Sequence, residues 1–297
     1  EVPGYRALAV VLGAIWLLHP LLVSTVLYVV QRMAMLATFF MLLACICYVY
    51  WRLGMMAGKV GTWRFLPVPL LLVVALLAKE NAIVLVPIVL LLEVWWFECK
   101  GERGEVIPWL RRLCYGLIAM GAIALASILL FQWDTLAERM HRRPFSLTER
   151  LLTQSRVVWD YVAQSVNPQV ARMGLYHDDI VVSTSLLEPV STLFAVIAWI
   201  VVVLVGGLLL RSRGGRWIAL GVAWFLLGHS VESTVLPLEM YFEHRNYFPL
   251  IGLVLLLGSL FAVVVKKWPE PRAPLLVCLG LCVLVLSGLT SSQVQIW

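Results

Sequence analysis

Long apolar runs, each closed by a polar or aromatic break, recur along this chain from end to end. They cover Tyr5–Leu18, Met33–Tyr50, Phe65–Ala78, Ala82–Phe97, Leu113–Phe131, Pro189–Leu210, Trp217–Val231, Asn246–Val265 and Leu275–Leu289. The runs are continuous, as expected of helices of about 20 residues crossing a bilayer, and lack the alternation of a membrane barrel's strands. The pattern predicts an all-α, polytopic transmembrane helical bundle of about nine spans, organised as a single transmembrane domain over residues 1–297. The pair Trp95-Trp96 closes the fourth run as an interfacial belt would.

The longest polar interval, Gln132–Glu188, separates the fifth run from the sixth. Within it Ser146–Ser165 reads as an amphipathic helix. Ser146 stands three residues before Glu149 as in a capping box, and Leu151, Leu152, Ser155, Val158, Trp159 and Val162 share one face. Asn167-Pro168 stops it. Such a helix is expected to lie flat at the membrane surface. A polar cluster, Leu175-Tyr-His-Asp-Asp-Ile180, follows before the next run.

Composition agrees with this reading. Hydrophobic residues make up 62% and charged residues 13%, and the mean hydropathy is +0.92. A soluble domain has about 45–50% and 25%. The net charge of +6 calls for no nucleic acid, because in a membrane protein the placement of charge matters more than its sum. If the chain enters from the cytoplasm and alternates, the cytoplasmic pieces hold 14 Lys and Arg, against three in the short opposite pieces: Arg32, Lys79 and Arg245. The long interval is exempt from that comparison. His19, Gln31-Arg32, Lys79-Glu80, residues 132–188 and residues 232–245 then share the non-cytoplasmic face. That face is the periplasm if the protein belongs to a bacterial inner membrane. Six cysteines lie in or beside apolar runs and form neither a disulfide framework nor a zinc spacing. The chain opens at Glu1 without a methionine and reads as a piece of a longer protein.

The densest chemistry lies in residues 232–249, where Glu232, Glu239, Glu243, His244 and Arg245 stand among Tyr241, Asn246 and Tyr247. In one continuous helix the three carboxylates would share a face, although Pro237 interrupts it. They can serve as general base, as metal ligands, or as partners that Arg245 neutralises. Lys79 and Glu80 are sequence neighbours whose side chains diverge on a helix. They can meet a substrate phosphate, or snorkel at a membrane rim. Arg32 with Arg245 suits a lipid phosphate or pyrophosphate. His19 before Pro20 also reads as an ordinary interfacial group, and His177-Asp178-Asp179 as a proton or metal site or plain surface. A divalent metal is possible without being indicated.

As an ordered set these motifs resemble a known group. Trp16-Leu-Leu-His-Pro20, Tyr28-Val-Val-Gln-Arg32, Ala78-Lys-Glu80, His177-Asp-Asp179 and Phe242-Glu-His-Arg-Asn-Tyr247 are similar to those of bacterial tetratricopeptide-repeat membrane proteins. These in turn resemble the transmembrane-and-tetratricopeptide-repeat O-mannosyltransferases of the GT-C class. The resemblance implies a GT-C-like enzyme that moves a sugar from a polyprenyl-phosphate-linked donor to a protein hydroxyl or glycan acceptor. It departs from the pattern in two respects: the acidic catalytic residue after a first span is expected to precede Glu1, and no repeats follow the last run. Within the chain Glu80, Glu232, Glu243 and His244 are the catalytic candidates. His19, Gln31, Arg32, Lys79, His177, Asp178, Asp179, Glu239, Arg245, Asn246 and Tyr247 are the substrate-binding ones, with Arg32, Lys79 and Arg245 on the phosphate. Two rival readings are a ligase or polymerase acting on a polyprenyl-pyrophosphate glycan, as for O-antigen, and a non-catalytic scaffold or transporter.

Overall fold

The computed structural model describes residues 5–174, 177, 180–268, 270 and 272–297. Its helices are α1 (Tyr5–Leu17), α2 (Val23–Leu27), α3 (Arg32–Met56), α4 (Pro67–Ala78), α5 (Leu85–Leu91), α6 (Pro108–Phe131), α7 (Trp133–Arg139), α8 (Leu147–Val166), α9 (Ser191–Leu209), α10 (Arg213–His229), α11 (Leu250–Lys267) and α12 (Arg272–Ile296). No strand occurs among the described residues; one isolated bridge pairs Lys100 with Val106.

Among the described residues six helices are long and apolar enough to cross a membrane, or seven if α1 and the segment Pro20–Leu27, bent by 52° from it, form one span. The run at α4 yields a helix of 12 residues, short of the about 17–25 of a full span, and α10, with 17, stands at the lower end of that range. Only 6% of the most apolar window of Pro108–Phe131 and 11% of that of Ser191–Leu209 is buried in the protein. A helix that is apolar all round and faces outward belongs in lipid, so the chain is a multi-pass membrane protein.

By internal contacts the chain divides into two compact units, one of Glu1–Arg32, Thr148–Thr234 and Leu238–Trp297, the other of Met33–Leu147 and Val235–Pro237. In the first unit α10 and α11 meet backbone to backbone. A Cβ at Gly221 would stand 2.7 Å from the Gly252 carbonyl oxygen, and one at Gly252 would stand 2.5 Å from the Phe225 nitrogen, so glycine is required at the crossing. α1 packs Leu8 against Phe261 and Val265, and Thr290 Oγ1 donates to the Leu18 carbonyl at 2.8 Å.

α8 falls within a residue of its predicted bounds. Leu147 follows Ser146 at the N-cap position, and the Asn167 N–H still reaches the Ala163 carbonyl at 2.8 Å before Pro168. Its buried face differs from the predicted one. Arg150, Thr153, Gln154, Val157, Val158, Tyr161 and Gln164 point inward, so the period was right and the phase shifted by about a residue. That face packs on the protein, while Ala163 and Val166 are exposed. The other flank of α8 meets α9, where Trp159 and Trp199 stack at 4.3 Å. Each indole N–H there donates to a carbonyl of the other helix, Trp159 to Ala195 and Trp199 to Ser155.

In the second unit a widened helical turn, Leu92–Phe97, follows α5 and carries Glu93 inward to Arg52 of α3. The pair is bidentate, Nε to Oε2 at 2.6 Å and Nη2 to Oε1 at 2.8 Å, with exposures of 0% and 1%. Tyr48 donates to Glu93 at 2.5 Å, Arg52 Nη2 also donates to the Lys100 carbonyl, and the Phe97 ring lies 5.0 Å from the guanidinium. Arg52→Leu, which strands a buried carboxylate, is expected to cost about 3–5 kcal/mol, and Arg52→Leu with Glu93→Leu much less. Denaturant unfolding of the single and double variants checks this; equal losses would remove the pair from the account of stability.

Candidate functional site

The segment between α10 and α11 is irregular. α10 ends at His229, the chain turns through residues 230–242, and a 3₁₀ turn at Glu243–Asn246 leads into α11. The continuous helix that would align Glu232, Glu239 and Glu243 is therefore absent, because the chain leaves helical geometry before Pro237. Glu232 and Glu243 are buried, while Glu239 is exposed.

An irregular buried segment needs donors for its carbonyls, and α8 supplies them. Arg150, fully buried, donates from Nε to the Thr234 carbonyl at 2.8 Å, from Nη2 to Glu232 at 2.9 Å, and from Nη1 to Leu238 at 2.5 Å and Glu239 at 3.3 Å. One turn on, Gln154 Nε2 donates to the Met240 carbonyl at 2.6 Å. Tyr161 takes the place of a strand neighbour, its hydroxyl donating to the Phe242 carbonyl and accepting the Phe242 N–H, each at 3.0 Å. Burial pushes the Tyr161 phenol up to about 12, so it stays protonated as this double contact requires.

Beside this scaffold opens a cleft of about 470 Å³, lined among others by Arg156, Asp160, Arg172, Met173, His177 and Tyr241. At its edge Glu243, 2% exposed, accepts the Gly174 N–H at 2.8 Å and contacts His177 Nε2 at 3.2 Å, all through Oε1. The His177 ring packs 4.2 Å from the Tyr241 ring. Asp160 accepts from the Tyr241 hydroxyl at 2.9 Å and from Arg172 Nη2 at 2.8 Å. Burial first, and then the nearby phenol and Asp160 carboxylate, hold the Tyr241 phenol well above its ordinary pKa, so it remains a donor. Arg156 Nη1 is anchored on the Val181 carbonyl and Ser183 Oγ, at 2.9 and 3.1 Å. The cleft thus combines a carboxylate-held imidazole, a second carboxylate and two guanidinium groups, the elements of acid–base chemistry on an anionic substrate.

Among the described residues Glu243 Oε2 has no hydrogen-bond partner, nor have Trp224 Nε1, Ser24 Oγ, Thr25 Oγ1 and both amide atoms of Gln293. These atoms belong to the 3₁₀ turn, α10, α2 and α12. The turn packs on α2 and α10, and α2 packs on α12, which makes the interior behind Glu243 polar.

Of the predicted residues, the structure joins His177 to Glu243, and Asn246 to the Glu243 carbonyl through Nδ2 at 3.1 Å. Asp178 and Asp179 lie outside the described residues. Arg245, expected on the phosphate, is buried, donates to the Met240 and Glu239 carbonyls at 3.2 and 2.7 Å, and lies over the Phe242 ring. His19 is buried and brackets two segments: Nδ1 accepts the Leu21 N–H and Nε2 contacts the Ser165 carbonyl at 3.0 Å. His244 is buried against Phe242, and Tyr247 meets Trp16 edge-on while its carbonyl accepts the Trp16 indole N–H. Gln31 is half-buried and Arg32 exposed at the start of α3. Lys79 and Glu80 belong to the second unit, Lys79 buried at the end of α4 and Glu80 exposed. No cluster of three or more His, Cys, Asp or Glu able to hold a metal occurs among the described residues.

Arg150, Gln154, Arg156, Asp160, Tyr161 and Arg172 were not singled out in the sequence. A signal for the first, second and fifth was present: Arg150, Gln154 and Tyr161, four and seven residues apart, fall on one helical stripe of long polar groups. Comparison with protein-family models, curated proteins and solved structures finds no match for this chain.

Proposed function

We propose that this membrane protein is a glycosyltransferase of GT-C type that takes a sugar from a polyprenyl-phosphate donor at the non-cytoplasmic, periplasmic face. The observation that carries the reading is the cleft, which sets His177, held by the buried Glu243, beside Arg156 and Arg172. In the reaction an acceptor hydroxyl gives its proton to His177 as its oxygen bonds to the anomeric carbon. The bond from that carbon to the donor phosphate breaks, and its electron pair leaves with the phosphate. Glu243 holds the imidazole through Nε2, which frees Nδ1 to take the proton, and Arg156 and Arg172 stabilise the departing phosphate. Glu243 is thus a positioning residue, and the phosphate role expected of Arg245 passes to the two cleft arginines. The acceptor is a protein hydroxyl or a glycan.

Contacts within each unit support the alternating topology behind this sidedness. His19 meets Ser165, Leu18 meets Thr290, and the segment 20–27 packs on the 243–246 turn, all pairs assigned to the non-cytoplasmic face. Leu8, Val265 and Leu275 cluster near ends assigned to the cytoplasm, and Arg52 with Glu93 ties two more such ends.

The test is release of labelled sugar by membranes carrying the protein, given polyprenyl-monophosphate sugars in one arm and polyprenyl-pyrophosphate glycans in the other. Consumption of a monophosphate donor is expected. Consumption of the pyrophosphate donor alone would point to the ligase reading, and inertness toward both would leave a scaffold or transporter.

A further inference from the structure

A second concavity, of about 620 Å³, lies within the second unit and is lined by Thr135, Glu138, Arg139, Arg142, Arg143 and Pro237. It stands just beyond α6, whose apolar surface is the least buried of the membrane-length helices. α6 ends at Phe131, Gln132 breaks the helix, and α7 starts at Trp133. α7 is amphipathic. Leu136 is buried, as is Met140 in the turn that follows, while Arg139 and Arg142 are exposed. At 1.5 Å per residue, seven residues add only about 10 Å of rise, so the guanidinium groups stay within reach of the lipid headgroup layer.

Arg139 and Arg142 have no hydrogen-bond or ion-pair partner among the described residues, although both line the concavity. Arg143 is fixed beside them by its Nε donating to the Pro237 carbonyl at 3.0 Å. Glu138 is the single carboxylate of the lining. Three arginines around a hollow at the end of a lipid-facing helix match the oxygens of a phosphodiester, which guanidinium groups bind in a forked geometry that a lysine cannot reproduce.

We propose that Arg139, Arg142 and Arg143 form a headgroup site that holds one anionic phospholipid of the surrounding bilayer at the end of α6. The site is independent of the transfer reaction. It would anchor the start of the 132–188 interval to the membrane surface, because basic groups near an anionic leaflet are attracted strongly within a Debye length.

The experiment uses the full protein in mild detergent, titrated with phosphatidylglycerol or phosphatidylcholine, with retained lipid counted by native mass spectrometry. Selective retention of phosphatidylglycerol is expected. Removing Arg139 or Arg142 alone should weaken it about fivefold and Arg139→Ala with Arg142→Ala more than tenfold. Arg139→Lys with Arg142→Lys should keep part of the binding, which separates lost charge from lost fold. Equal retention of both lipids would overturn the proposal, as would unchanged retention by the double alanine variant. Displacement of the lipid by inorganic phosphate would do so too, by showing a site for a free anion.

Discussion

His177→Gln is expected to lower the turnover of sugar transfer by about a thousandfold, within the ~10²–10⁴ that a positioned general base supplies. Donor KM should stay within about twofold, because the imidazole acts on the acceptor proton and not on the phosphate. His177 Nε2 lies 3.2 Å from Glu243 Oε1, and the Gly174 N–H fixes the same oxygen. With Nε2 held by a carboxylate, Nδ1 is the nitrogen left to accept a proton. Glu243→Gln tests the coupling. An amide of the same shape can present its NH₂ to His177 and select the opposite tautomer, so turnover should fall by about a hundredfold or more. Stability should be retained or raised, since Glu243 Oε2 is buried without a partner and neutralising it removes a cost. A structural carboxylate would show the reverse, losing stability and sparing turnover per folded molecule. Unchanged turnover in both variants, with normal insertion, would remove this pair from the chemistry.

Sequence reading located Glu243 and His177, 66 residues apart, without placing them together. Each was visible as an ionisable group next to an apolar run, where solvation is costly. Their meeting depends on Gly174 and on the path of residues 230–242, and no periodicity encodes an irregular path. The same segment explains the error on α8. Sequence periodicity put Leu151, Leu152, Ser155, Val158, Trp159 and Val162 on one face of α8, and of these Val158 is on the buried face. The buried face also carries Arg150 and Gln154 because the neighbour is a string of backbone carbonyls, which polar side chains satisfy and leucines do not, and Thr153 and Gln164, which accept the Ser183 and Gln169 N–H groups. Arg245 stands beside three glutamates in the sequence, and in the fold it donates to the Met240 and Glu239 carbonyls of its own loop, a bracing role that no side-chain pattern encodes. The apolar runs were easier to read, since hydrocarbon enforces continuous hydrophobicity; at α4 the helix, of 12 residues, fell short of a span.

Arg150→Ala is expected to lower stability by about 3–5 kcal/mol, the range for removing one side of a buried charged network. Four carbonyls, of Glu232, Thr234, Leu238 and Glu239, take their donors from this one fully buried guanidinium. Alanine leaves them facing a void, and each buried acceptor without a donor costs about 1–3 kcal/mol before relaxation. Part of that cost is relieved because Arg245 still reaches the Glu239 carbonyl and water can enter the cavity. Arg150→Lys should recover only a minor part, since a single ammonium cannot span carbonyls that a planar fork reaches from three nitrogens. Denaturant unfolding gives the magnitude, and hydrogen exchange gives the location: amides of residues 230–246 should lose protection while those of α3 and α6 keep it. Transfer should fall as well, with the loss following the unfolded fraction and restored on cooling, unlike that of His177→Gln. A change below about 1 kcal/mol, or loss of protection spread evenly through the chain, would mean that the segment holds its course without Arg150.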